Sequence, residues 1–125
     1  MEHTDVRNWA RMYESAWRSA GTDKLAGLFT DDVSYLPSPW GEPVEGLAAV
    51  AEFWDSEREG ADEEFTMTYD VVAVDGQAGV VRASVDYAAT GKRWRDLWVL
   101  RFADDGRCEA FEEWPFAPDQ PDGHR

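Results

Sequence analysis

Cysteine, histidine and lysine are all scarce in this chain. Cys108 is the single cysteine, which rules out an internal disulfide and fits a reducing compartment. The two histidines, His3 and His124, lie near the termini with no HxxxH or Cys/His spacing around them, so no metal centre is expected. The GxSxG, Walker and dinucleotide-binding glycine patterns are missing too, and no cofactor is expected. No apolar run approaches the roughly 18 residues of a membrane span, and the N-terminus lacks a signal-peptide apolar region. The expectation is a cytoplasmic protein. Positive charge is also short, with 12 Lys and Arg against 26 Asp and Glu, a net −14. Such a field repels phosphate backbones and anionic lipid, so neither nucleic acid nor a membrane surface is expected as a partner.

What is present is apolar and aromatic. Hydrophobic residues make up 43% of the 125 positions and aromatics 14%, with seven Trp. That is enough for one domain, residues 1–125, with a core and a lined cavity. Val6, Trp9, Ala10, Tyr13, Trp17 and Ala20 recur at helical spacing, with Thr4 or Asp5 as the cap and Gly21 as the stop. Thr22 caps a short second helix whose Leu25, Leu28 and Phe29 face inward. A strand at Val33–Leu36 and a loop with Pro37, Pro39 and Pro43 precede a third helix, which carries Leu47, Val50, Ala51 and Trp54 and ends near Gly60. The acidic run Glu57, Glu59, Asp62, Glu63 and Glu64 reads as a solvated helix end and loop.

From Phe65 the period changes to two. Phe65, Met67, Tyr69 and Val71 alternate with polar residues, as do Val81, Ala83, Val85 and Tyr87, and Asp75-Gly76 marks the hairpin between them. Trp94, Asp96, Trp98, Leu100 and Phe102 alternate with Arg93, Arg95 and Arg101. A last strand runs from Arg107 to Phe116, and residues 117–125 read as a frayed tail. Helices followed by an antiparallel meander make an α+β fold with three helices in all.

The stretch LFTDDVSYLPSPWGEPVEG, Leu28 to Gly46, sits at the join between these halves. Its order of short helix, Asp turn, strand and Glu-Pro-Val-Glu-Gly lead-in resembles the opening of the nuclear transport factor 2-like superfamily, in its SnoaL-like and ketosteroid-isomerase-like branches. The resemblance spans roughly residues 5–116. It implies a cone: a curved antiparallel sheet wrapped around the long N-terminal helix, with a ligand cavity inside. The isomerase branch places a Tyr on the first helix, an Asp base on the first strand and a protonated Asp on a late strand. In this chain those positions fall on Tyr13, Pro37 and Trp98, so steroid isomerisation by that route is not expected.

The candidate ligand pocket comprises Tyr13, Trp17, Tyr35, Trp54, Trp94, Asp96, Trp98, Phe111 and Glu113, with Asp96, Glu113 and Tyr13 as candidate catalytic residues. Glu113 is expected across from Asp96, while a one-residue bulge at Gly106 would turn Glu112 inward instead. An inward carboxylate is costly unless compensated. Asp96 therefore belongs either to a pocket or to an ion pair with Arg82 or another Arg. Tyr13 fits a core tyrosine as well as a ligand donor. Cys108, with no histidine near it, reads as a structural thiol. Two functions follow: a cofactor-free acid–base enzyme (isomerase, cyclase, hydrolase or dehydratase) acting on a small, partly apolar molecule, or a non-catalytic ligand-binding or protein-interaction domain. A homodimer is expected through the sheet's outer face, where Leu97, Val99 and Arg101 alternate beside Glu112 and Trp114.

Overall fold

A computed structural model describes residues 1–58 and 63–121. The expected helix end at Gly60, Glu59 and Asp62 of the acidic run, and the last four residues of the tail lie outside the described residues. Three helices and six strands follow one another as α1 (His3–Trp17), α2 (Leu25–Leu28), β1 (Phe29–Leu36), β2 (Val44–Glu45), α3 (Leu47–Glu57), β3 (Thr66–Asp75), β4 (Ala78–Asp86), β5 (Arg93–Phe102) and β6 (Cys108–Phe116). The strands form one curved sheet in the order β2-β1-β6-β5-β4-β3.

The meander from β3 to β6 is antiparallel throughout, as its turn residues require. The sheet as a whole is mixed, because β1 runs parallel to β6. This corrects the expectation of an antiparallel sheet. The chain between them contains α3 and four further strands, β2 to β5, which carry it back to the same end of the sheet, as a parallel pairing demands. The short β2 was invisible to pattern reading, since two residues carry no period.

Helix α1 buries Val6, Trp9, Ala10, Tyr13 and Ala16. Its cap is Glu2 rather than Thr4 or Asp5; the Asp5 side chain instead accepts from the Glu2 N–H at 2.8 Å. Ala20 lies past the helix end and is exposed, so Ala16 takes the last place in the stripe. Trp9 is the hub of the core. Its Nε1 donates to Leu28 O at 3.0 Å, and its ring meets Phe29, Trp98 and Phe102 edge-on. Gly79 on β4 lets the helix approach closely: a Cβ there would lie 3.1 and 3.2 Å from the Val6 methyls.

Arg58 locks the open end of α1. Its guanidinium donates to Ser19 O at 2.7 Å and Gly21 O at 2.6 Å in the loop after the helix, and to Ala16 O in its last turn at 3.3 Å. The same group pairs with Asp55 of α3 at 3.5 Å and lies over the Trp17 and Trp54 rings. Helices α1 and α3 are thereby joined behind the cavity wall.

Candidate functional site

Strand β5 supplies the core of the site. Its alternation turns Trp94, Asp96, Trp98, Leu100 and Phe102 inward, with Trp98 at 1% and Asp96 at 8% exposure, while Arg93, Arg95 and Arg101 face out. Strand β6 reaches the same space through a bulge. Phe102 pairs with Cys108 but Arg101 pairs with Ala110, so Glu109 is an extra residue. Without it Phe111 and Glu113 would face out. The irregularity thus lies at Glu109, not Gly106, and it is what turns Glu113 inward.

The register also corrects the expected pairing of the two acids. Glu113 lies opposite Trp98, and Asp96 lies opposite Pro115. The carboxyl groups face the same cavity on a diagonal of the β5–β6 pair, where each bears on the ionisation of the other. Trp98 Nε1 donates to Glu113 Oε2 at 3.0 Å and fixes that carboxyl. No arginine neutralises Asp96 among the described residues: Arg82 pairs with Asp70 at 3.0 Å and Arg95 with Asp86 at 3.3 Å. Asp96 Oδ1 is buried with no hydrogen-bond partner among those residues.

Burial dominates the electrostatics. It pushes Glu113 up to about 8, helped by the Asp96 charge, and Asp96 up to about 6. As each group bears on the other's ionisation, these are two steps of one pair. Burial also holds the Tyr13 and Tyr35 hydroxyls well above the usual phenol range, and it raises Tyr87. The Cys108 thiol, buried beneath the sheet, is pushed up to about 12.

These groups border a cavity of about 430 Å³, within the range of about 300–1,000 Å³ usual for small-molecule sites. Tyr13, Trp17, Tyr35, Trp94, Asp96, Trp98 and Glu113 line it. Trp54 and Phe111 do not. Trp54 packs edge-on against Tyr13 and Trp17 from behind, and Phe111 stacks on Tyr13 and Tyr35 at ring separations of 5.8 and 4.5 Å. They hold the lining rings in place from the core.

Several lining residues went unrecognised in the sequence. Tyr87 and Met67 continue the inward alternations of their strands, and that signal could have found them. Glu57 at the end of α3, Glu63 and Lys92 reach the cavity from element ends and connections, where no period operates. Among the described residues no group of three or more His, Cys, Asp or Glu is arranged to hold a metal ion.

The profile of the SnoaL-like domain matches residues 9–111, most of the chain. The chain belongs to the SnoaL-like family. Solved structures with the same fold include an NTF2-like protein of unknown function from Burkholderia xenovorans LB400, at 16% identity and a TM-score of 0.71 over 98% of this chain and 91% of that one. A candidate ketosteroid isomerase from Kribbella flavida DSM 17836 superposes with a TM-score of 0.67 at 24% identity, over 98% and 87%. The epoxide hydrolase/cyclase-like enzyme SalBIII, with a role in pyran ring formation in the polyether salinomycin, does so at 0.66 and 15% identity, over 90% and 93%. At these identities the likeness concerns the fold. No curated protein sequence matches this SnoaL-like domain.

Proposed function

We propose that this SnoaL-like domain is a cofactor-free enzyme that moves protons on a small, partly apolar organic molecule held inside the cone. The observation that carries the reading is the diagonal placement of Asp96 and Glu113, two carboxyl groups in one aromatic cavity with no arginine ion-paired to either among the described residues. Ionising both is disfavoured by desolvation and like-charge repulsion, so the pair holds one proton near neutral pH. Glu113, oriented by Trp98, donates its proton to a ligand oxygen. Asp96 accepts a proton from a ligand hydroxyl or an acidic C–H. The pair therefore ends the reaction with one proton, as it began, and the proton returns to Glu113. Tyr13 and Tyr35, kept protonated by burial, act as further donors and not as bases.

This cycle suits isomerisation, cyclisation, hydrolysis or dehydration, and ring formation of the kind named for SalBIII is one such chemistry. A non-catalytic binding role would be favoured by a cavity filled with its own side chains. The open volume of about 430 Å³ weighs toward a substrate. We further propose a cytoplasmic homodimer joined through the outer face of β5 and β6, where Leu97, Val99 and Trp114 are each more than a third exposed. The test of function is a panel of small hydroxy-epoxides and hydroxy-enones, followed by NMR for cyclised or rearranged product. Turnover that is lost in both Asp96→Asn and Glu113→Gln supports the reading, and turnover indifferent to both removes it. A steroid enone in the same panel is expected to remain unchanged, because Pro37 at the cavity edge has no proton acceptor.

A further inference from the structure

Proton transfer by a carboxyl pair does not by itself require the cavity's excess of negative charge. The Asp96–Glu113 pair, with its one proton, brings a single charge, and Glu57 and Glu63 also line the cavity, against one cation among the described lining residues, Lys92. The chain's net −14 adds to the same field. Asp96 is more than nine-tenths buried, and its Oδ1 accepts from nothing among the described residues. A buried carboxylate oxygen without a donor is costly, and a ligand that brings an N–H removes that cost. An anionic ligand would add a like charge, and a neutral one would leave the existing charge uncompensated.

The rings point to the same class of ligand. The faces of Phe65 and Trp17 already have guanidinium partners, Arg18 at 3.9 Å and Arg58 at 5.7 Å from the ring centres. Trp94 is different. It lines the cavity on the same face of β5 as Asp96, two positions away, and among the described residues neither another ring nor a guanidinium covers it. Residues so spaced stand about 7 Å apart, which lets one small cation touch both the indole face and the carboxylate.

We infer that the cavity selects an organic cation, a small molecule whose protonated amine seats against Trp94 and donates an N–H to the Asp96 carboxylate. The inference rests on the acid–base reading of the same site and adds the class of substrate to it. The ammonium is held on Asp96 by a hydrogen bond and keeps its proton, the reacting hydroxyl or C–H remains the group Asp96 deprotonates, and the rest of the molecule occupies the apolar part of the cavity beside Met67 and Val85.

Three probes of one shape and different charge test this: benzylamine, benzyl alcohol and benzoate, titrated against the full chain with the indole N–H resonances as readout. Benzylamine is expected to shift the Trp94 and Trp98 signals with a Kd about tenfold or more below that of the alcohol, the factor one charge-assisted hydrogen bond supplies, and benzoate to leave them unmoved. Asp96→Asn and Trp94→Leu should each weaken the amine by about tenfold while changing the alcohol by less than about threefold. Trp94→Leu keeps an apolar wall, and its fold is checked by the unchanged Trp98 signal. Alcohol binding as tight as the amine, or amine binding untouched by Asp96→Asn, overturns the inference while the acid–base reading stands. Binding by none of the three overturns the inference. The acid–base reading fails separately, if the two carboxyl groups titrate as ordinary independent acids.

Discussion

Replacing Glu113 with Gln tests the carboxyl pair through stability, without a substrate. The amide keeps the shape of the side chain: its oxygen still accepts from Trp98 Nε1, and its nitrogen can donate to Asp96. What disappears is a buried acid whose folded-state value, about 8, lies well above the ordinary value of 4.5. A raised acid holds its proton in the folded state where the unfolded chain has lost it. Its contribution is therefore complete below about pH 4 and is lost as pH rises through the folded-state value. Between about pH 6 and 8, after the lower step of the pair, the folded chain carries about one proton more than the unfolded chain. Stability then falls by about 1.4 kcal/mol per pH unit, or about 3 kcal/mol across the window. Urea unfolding followed by Trp fluorescence, at constant salt and half-unit steps from pH 5.5 to 8.5, gives the slope for both proteins. The difference between them cancels the background of the acidic surface. Glu113→Gln should lack this slope and become the more stable protein above about pH 8. Parallel curves for the two would mean that Glu113 ionises like any surface carboxyl, and the paired-acid reasoning would be refuted.

Arg58→Ala removes the donors that hold the carbonyls of Ala16, Ser19 and Gly21, and is expected to cost about 3 kcal/mol, seen as a fall of roughly 10 °C in Tm. Arg58→Lys should recover only part of this, because an ammonium lacks the planar fork. Gly79→Ala places a methyl against Val6 and should destabilise by about 1–2 kcal/mol in urea unfolding, with relief when combined with Val6→Ala. In sedimentation equilibrium at micromolar concentration the wild type is expected at twice the 14.2 kDa chain mass, and Trp114→Glu at the monomer mass. A wild-type monomer would remove the dimer.

The fold was legible because its evidence is periodic and ordered. The stripe on α1 and the alternation along β5 each fix which side of an element faces the core, and together they give a sheet curved around a helix. The parallel pairing of β1 with β6 was not legible, since strand neighbours are chosen by packing of the whole chain rather than by local pattern. For the site, pattern reached as far as regular strands do. It set Asp96 beside Trp94 and Trp98, but the position of Glu113 depended on a bulge at Glu109 that no residue there announces. Trp54 and Phe111 were expected at the cavity wall and lie one layer behind it, because an inward face alone does not say how deep a ring sits. Glu57 and Lys92, at an element end and in a connection, carried no periodic signal at all.

The central claim, that Asp96 and Glu113 share one proton near neutral pH, is tested most directly by a carboxyl carbon NMR titration of the wild type and of Asp96→Asn. The wild-type pair is expected to titrate in two coupled steps, the lower near 6 and the upper near 8, each visible at both residues. In Asp96→Asn the Glu113 step should move down, because the Asp96 charge that opposes its ionisation is gone. Two carboxyl groups titrating independently near pH 4, with Glu113 unmoved by the substitution, would contradict the account.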